Sequence, residues 1–220
     1  MTSTRTLLTC GTVAGPLFVV VGFGQAFTRE GFDLRRHALS LLSNGDLGWI
    51  QIANFLASGA LVIAFAVGIR RVLRGRGAGT WGPWLVGAYG AGLIGGGIFV
   101  ADPALGFPPG TPAGPPAVWT WHSTMHFVSA AVGFFSLIAA CFVFARAFAG
   151  SGERGWAAYS ALTGVVFLAS FAALASGGGN EALNLAFAAA VVLAWAWLSA
   201  LAIRLARRVH VIARQPARSR

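Results

Sequence analysis

The sequence contains no lysine and few charged residues of any kind. Only 10% of its 220 residues are charged, whereas 56% are hydrophobic and the mean hydropathy is +0.71. A soluble domain is about 25% charged, so this composition excludes an ordinary water-soluble protein and indicates an integral membrane protein. The basic residues are all arginines and lie in short segments between apolar runs. That placement is typical of membrane topology and argues against nucleic-acid binding despite the net charge of +10.

The sequence is also poor in cysteine and in catalytic motifs. Cys10 and Cys141 both lie within apolar runs, where single thiols are typical packing residues and do not indicate a disulfide or a metal pair. No P-loop, CxxC or GxSxG motif occurs, and no soluble domain is appended. Neither a P-loop nucleotide site nor a seryl hydrolase is therefore indicated by a local motif.

Six apolar runs are long enough to cross a bilayer, which requires about 20 residues each. They cover 7–27, 49–69, 81–101, 119–147, 156–176 and 182–203. We therefore expect an all-α membrane protein with six transmembrane helices in one bundle, forming a single domain over 1–203, followed by a basic cytoplasmic tail over 204–220. A cleaved signal peptide is a less favoured interpretation of the first run, because only Arg5 precedes it and the run is longer than a usual signal core.

The arginines predict which side of the membrane each connection faces. With both termini in the cytoplasm, the inner segments hold thirteen arginines and one acid, Glu153, while the outer segments hold three arginines and five acids. This distribution follows the positive-inside rule. We expect both termini to be cytoplasmic and the basic tail to lie near anionic lipid.

Polar residues within the apolar runs lie near their outer ends. Gln51, Asn54 and Ser58 share one face of the second predicted helix, and His122 and His126 lie one turn apart on the fourth. Polar groups that face lipid are costly, so we expect these stripes to point into the bundle and form an outward-facing polar cavity. The candidate ligand-binding residues are His37, Ser40, Asp46, Gln51, Asn54, Asp102, His122, His126 and Glu181.

The two longer outer loops are expected to cover this cavity. The first, 28–48, alternates apolar and polar residues and is typical of an amphipathic segment at the membrane interface. The second, 102–118, contains six prolines and is expected to run as an extended, stiff cover. The third apolar run is rich in glycine, with Gly92 and Gly96 one turn apart, which predicts a central, closely packed helix.

Packing alone could explain most of these residues. His122 lies between Trp119 and Trp121, as expected for a side chain in an interfacial aromatic belt. The Gln51 stripe could serve hydrogen bonding between helices. Asp102 could simply end a helix, and Glu181 could be a first-turn acid favoured by the helix dipole.

With these motifs in place, the chain resembles a bacterial membrane family catalogued as domain of unknown function 998. The resemblance rests on the segment RHALSLLSNGDLGWIQIANF at 36–55 and on the 101–103 and 121–126 regions, and it covers about 6–203. The family usually has proline where this chain has Ala38. The resemblance implies a six-helix protein of the bacterial cytoplasmic membrane, and it names no substrate. The positions it singles out are His37, Ser40, Asp46, Gln51, Asn54, Asp102, His122 and His126.

Several functions remain open from the sequence. The favoured hypothesis is a binding or transport-type protein for a small polar solute or a lipid headgroup, with membrane lipids as its surroundings. The alternative is a membrane-embedded hydrolase in which His122, His126 and Asp102, or His37, hold a divalent metal such as zinc. Haem is disfavoured because two histidines one turn apart cannot take opposite axial positions. The last hypothesis is a purely structural or assembly role.

Overall fold

The protein is all-helical in the computed structural model, which describes residues 2–75, 77–176 and 180–214. No β-strand occurs in these ranges. The six α-helices are α1 (Thr2–Thr28), α2 (Gly48–Leu73), α3 (Trp81–Ile98), α4 (Trp121–Gly150), α5 (Arg154–Ser176) and α6 (Glu181–Arg214). Short 3-10 helices at Leu39–Ser43 and Gly77–Gly79 lie in two of the connections. The predicted all-helical fold is confirmed.

Five of these helices are long and apolar enough to cross a membrane: α1, α2, α4, α5 and α6. The remaining helix, α3, is shorter, and seven of its 18 residues are glycine. Glycine contributes little hydropathy, so α3 does not qualify by length and composition. The chain is thus a multi-pass membrane protein, while the predicted sixth span and the cytoplasmic termini stay predictions.

Most helix ends differ by a few residues from the predicted spans, and the C-terminal end of α6 differs most. Helix α3 ends at Ile98 and not at 101, and helix α6 continues to Arg214 where a tail was expected from 204. The α6 extension stays packed because Leu205 is 1% exposed and belongs to the core. Arg76 and the last part of the predicted tail, 215–220 with Arg218 and Arg220, lie outside the described residues.

The helices form a ring in chain order. Each helix packs mainly on its neighbours in the sequence, and α6 closes the ring against α1. Where α3 meets α4, the backbones approach closely, because a Cβ added at Gly92 would lie 2.7 Å from the Gly133 Cα and the Ser129 carbonyl oxygen. Small residues allow such approaches in membrane bundles.

One half of the bundle, called inner after the predicted orientation, is filled by large side chains. Trp197, Phe144 and Leu137 are essentially inaccessible, and the Trp197 Nε1–H donates to the Ser160 Oγ at 3.0 Å. Most buried indole N–H groups have such a partner. This half is therefore solid core, and open space is left to the outer half.

Ion pairs fasten the inner end of the ring. Glu153, between α4 and α5, pairs with Arg204 and Arg208 of α6. The Arg204 guanidinium also lies 5.3 Å from the ring centre of Phe148 and 4.7 Å from that of Trp156, which is a cation–π geometry. The one predicted inner acid thus holds three consecutive helices together.

Candidate functional site

The two outer loops fold against each other over the outer end of the bundle. The His37 Nδ1 accepts the Asp33 backbone N–H at 2.9 Å, so the ring proton lies on Nε2, which donates to the Leu105 carbonyl at 3.0 Å. The His37 ring also lies 5.6 Å from the ring of Phe107, which is fully buried. His37 therefore joins the loops, as a buried side chain that is 3% exposed.

Arg29 holds the same junction from the end of α1. Its guanidinium donates to the Leu42 and Asn44 carbonyls at 3.0 and 2.7 Å and lies 5.2 Å from the centre of the Phe107 ring. Burial lowers the pKa of Arg29, and the negative charge of Asp46 partly offsets this effect. Arg29 is thus committed to protein groups and is not free to bind an anion.

The second outer loop is folded, in contrast to the expected extended cover. Its turns close through the Leu105 N–H to the Gly114 carbonyl and the Gly106 N–H to the Pro112 carbonyl, both at 2.9 Å. Phe107 enters a small core with Leu42 and Ala101 beneath the loops. Burial of this one aromatic ring outweighs the extended preference of the surrounding prolines.

A cavity of about 670 Å³ lies in the outer half of the bundle, beneath the first outer loop. All six helices contribute to its walls, which are mainly aromatic and aliphatic. The aromatic lining includes Phe18, Phe55, Phe134, Phe167, Phe187 and Trp195. The cavity is therefore largely apolar, which differs from the polar cavity expected from the sequence.

The rim of the cavity reaches the outer surface of the bundle. Trp119 and Phe127 line the cavity, yet they are 53% and 48% exposed, and their rings lie 5.2 Å apart. Leu34 and Ala38 of the first loop continue this rim. A molecule in the surrounding lipid could therefore enter without crossing the core.

His126 is the main polar feature of the wall. Its Nδ1 lies 3.1 Å from the Gly96 carbonyl oxygen and 2.7 Å from that of Phe99. Since both partners are acceptors, Nδ1 carries the proton and Nε2 has a free lone pair. The side chain is 3% exposed and lines the cavity. Within the described part of the chain, nothing donates a hydrogen bond to Nε2.

Ser40 and Asn184 are the other polar groups of interest on the wall. The Ser40 Oγ has no hydrogen-bond partner among residues 2–75, 77–176 and 180–214, and the Asn184 amide makes only one long bond, 3.4 Å to the Asn180 carbonyl. Asn184 is 8% exposed. The structure therefore brings the predicted residues His37, Ser40 and His126 to one cavity, together with Asn184.

The predicted stripe on α2 lies elsewhere. The Gln25 Nε2 donates to the Gln51 Oε1 at 2.9 Å, the Asn54 amide donates to the Phe18 carbonyl at 3.2 Å, and the Ser58 hydroxyl donates to the Asn54 Oδ1 at 3.3 Å. These residues are buried between α1 and α2 and do not line the cavity. Their contacts are those of helix packing, so ligand binding by Gln51 and Asn54 stays a prediction without a cavity to support it.

Asp102 holds the start of α4. Its carboxylate accepts the Thr120 N–H at 2.8 Å and the Thr120 hydroxyl at 2.7 Å, while the Thr120 Oγ1 caps α4 by accepting the Ser123 N–H. Burial raises the pKa of Asp102, but hydrogen bonding with Thr120 and Ser123 and the electrostatic interaction with His122 together lower it. Asp102 thus serves a helix end and remains ionised at neutral pH.

The proposed metal ligands are not gathered around one point. Across the three described ranges, no group of three or more His, Cys, Asp or Glu side chains is placed to hold a metal ion. The His126 Nδ1 is occupied by carbonyls, and the His122 ring lies outside, 3.9 Å from the ring centre of Trp121. The zinc hypothesis therefore lacks a third ligand here.

Asp46 and Glu181, the last two candidates, are exposed at the outer ends of α2 and α6 and do not line the cavity.

The sequence does not predict the aromatic walls of the cavity, because phenylalanines in apolar runs also fill ordinary cores. A weak signal was available on α5, where Phe167 and Phe171 lie one turn apart beside small residues.

Comparison with known families identifies the family of the chain. The family described as Protein of unknown function (DUF998) matches residues 12–204, which is most of the chain and all of the ring except its ends. No curated protein and no solved structure matches the chain significantly. The chain belongs to this family of unknown function.

Proposed function

We propose that this protein binds an amphipathic, lipid-like molecule, with its apolar part in the cavity and its polar end beneath the outer loops. The supporting observation is the cavity itself, whose volume of about 670 Å³ falls in the usual range for small-molecule sites. Its aromatic walls favour an apolar chain, and His126, Ser40 and Asn184 supply a few polar atoms that could orient one end. A small polar solute, the other sequence-based candidate, would make few favourable contacts with these apolar walls and would leave much of their surface in contact with water.

The proposed orientation has six spans and cytoplasmic termini, so that the cavity faces outward. The arginine distribution supports it. Helix α3 would be the sixth span. Its low hydropathy is tolerable because α2 and α4 cover much of its surface, and Trp81 and Trp84, 66% and 64% exposed, stand at its start like interfacial anchors.

A cavity-filling substitution tests the binding role. Ala130 lines the cavity, whereas Val132, two residues away on α4, is 53% exposed and faces away from it. We expect Ala130→Trp to occupy the cavity and exclude a ligand. Val132→Trp adds the same side chain at nearly the same depth of the helix and serves as the matched control.

The readout is photolabelling of protein reconstituted in phosphatidylcholine vesicles. The probes are hexadecanol and its methyl ether, each carrying a diazirine within the chain. In wild-type protein we expect labelled peptides from the cavity walls, especially 127–134 and 184–195. Ala130→Trp should reduce this labelling several-fold and Val132→Trp should not. Equal labelling of all three proteins, confined to lipid-facing positions, would leave only a structural or assembly role.

A further inference from the structure

We infer that the bound molecule is uncharged and that its polar end is a hydroxyl group, which donates a hydrogen bond to the Nε2 of His126. This inference rests on the proposed function and narrows it to neutral lipid alcohols, as opposed to phospholipids or other charged amphiphiles. It follows from the tautomer of one histidine and from the charges that the cavity lacks.

The hydrogen bonds of the His126 ring determine its tautomer. Two carbonyl oxygens, those of Gly96 and Phe99, lie 3.1 and 2.7 Å from the His126 Nδ1 and require a donor there. The neutral ring then presents only an acceptor at Nε2. Because His126 is only 3% exposed and lines the cavity, a hydrogen-bond donor for Nε2 has to come from within the cavity.

The described part of the cavity wall offers no counter-charge for a charged headgroup. No Arg, Asp or Glu appears among the described residues that line the cavity. Arg29, which is packed into the loop junction, is engaged by two carbonyls and the Phe107 ring. Arg35 and Arg36 of the same loop are exposed and do not line the cavity. A phosphate or carboxylate at this depth would therefore be desolvated without a counter-charge, which is strongly unfavourable. A hydroxyl needs no counter-charge.

Ser40 and Asn184 add further polar groups to the cavity wall. The Ser40 hydroxyl has no partner in the described ranges, and the Asn184 amide has only its 3.4 Å contact with Asn180. Both side chains can donate to a ligand oxygen. The cavity wall thus offers an acceptor at His126 and donors at Ser40 and Asn184.

The two hexadecyl probes test this inference directly. The methyl ether keeps the chain and the oxygen but has no proton to donate. We expect the alcohol to bind wild-type protein about three- to tenfold more tightly than the ether, the range that one neutral hydrogen bond produces. Affinity is measured by titrating each probe before illumination and quantifying the labelled cavity peptides.

The matched variants are His126→Asn and His122→Asn. The asparagine amide nitrogen can replace the His126 Nδ1 as donor to Gly96 and Phe99, so the helix contact is kept. The asparagine Oδ1 then stands in the place of the histidine Cδ2, one bond short of Nε2, so the acceptor at the Nε2 position is lost. We expect His126→Asn to make the two probes equal by weakening the alcohol alone. His122 is exposed and lies outside the cavity, so His122→Asn should keep the wild-type preference for the alcohol over the ether. Thermal unfolding checks that both variants are folded.

The possible results separate the two proposals. Equal affinity of alcohol and ether for wild-type protein, with both labelling the cavity peptides, would overturn the hydroxyl inference and leave lipid binding intact. Displacement of the alcohol by phosphatidylglycerol more strongly than by unlabelled hexadecanol would also overturn it, because the site would then favour a charged headgroup. Failure of both probes to label the cavity would reject the proposed function itself.

Discussion

The His37 Nε2–H and the Leu105 carbonyl oxygen lie 3.0 Å apart and join outer loops whose residues are separated by 68 positions in the sequence. The other ring nitrogen of His37 accepts the Asp33 N–H. One neutral imidazole therefore fixes the turn in its own loop and the position of the other loop. Since Ala38, Leu39 and Ser40 line the cavity directly after it, this bond also fixes part of the cavity wall.

His37→Ala should loosen this junction. The substitution leaves the Asp33 N–H and the Leu105 carbonyl without their partner and removes the ring contact with Phe107, so we expect the free energy of unfolding to fall by about 2 kcal/mol. Denaturant unfolding in detergent measures the loss. His122→Ala, at an exposed position, should change the value by less than about 0.5 kcal/mol. Equal losses in the two variants would contradict the role of His37.

Asp102 should make the protein sensitive to acid. Its pKa is lowered in the folded protein, so its stabilising effect is present above the unfolded pKa of about 3.9 and is lost as the pH falls through the lower folded value. Asp102→Asn should cost about 1 kcal/mol at neutral pH and flatten the fall of the unfolding temperature below about pH 4. Parallel curves for wild type and variant would show that Asp102 does not contribute.

Gly92→Ala should disrupt the contact between α3 and α4. The added methyl group would meet backbone atoms of Gly133 and Ser129, which cannot rotate away, so we expect a loss of about 1–3 kcal/mol. Gly87→Ala on the same helix is the control, because its Cβ would lie 3.7 Å from the Ala66 Cβ in ordinary contact. Thermal unfolding should leave Gly87→Ala unchanged or slightly more stable. A reversed order would disprove the close approach.

Glu153→Gln should weaken the inner end of the ring. Arg204 would keep its place between Phe148 and Trp156 but lose its carboxylate, and we expect a loss of about 1–2 kcal/mol for a pair that is partly screened by solvent. The loss should shrink at high salt. Glu30→Gln, exposed in the first outer loop, should have no measurable effect on the unfolding temperature; comparable losses would argue against a specific pair.

Two single cysteines test whether α3 spans the membrane. Arg74 and Ala113, both exposed, flank this helix, and Cys10→Ser with Cys141→Ala supplies a cysteine-free background. A membrane-impermeant maleimide added to intact cells should label Ala113→Cys, while Arg74→Cys should react only after lysis. Labelling of both from the same side would show that α3 does not cross and that the termini lie on opposite sides.

The helices could be predicted from the sequence, whereas their ends could be predicted only in part. An apolar run has a local signature, because each residue needs its own burial in lipid. The end of α6 depends on a tertiary contact: Leu205 packs into the core, and backbone hydrogen bonding then continues to Arg214. The early end of α3 at Ile98 has no counterpart in the hydropathy pattern, since Phe99, Val100 and Ala101 are also apolar.

The candidate site could be predicted less well. The spacing of His126 indicated a residue inside the bundle, and that side chain is indeed in the cavity wall. The apolar character of the cavity had only the weak local signal on α5, because its phenylalanines come from several helices and become a wall only through long-range packing. The folded second loop was missed for the same reason, since Phe107 among its prolines gives no indication of the small core it enters.

The closed ring of helices has a consequence for how the protein is made. Helix α1 packs against α6 as well as α2, and the Ser199 hydroxyl of α6 donates to the Gly11 carbonyl of α1 at 3.3 Å. Of these six helices, α1 is synthesised first and α6 last. The face of α1 that packs on α6 therefore has no partner helix until α6 is made. Phe187 and Trp195 reach the cavity only with that final helix. Biogenesis therefore passes through a stage with five helices, in which the ring is open between α5 and α1 and the cavity lacks the wall that α6 supplies.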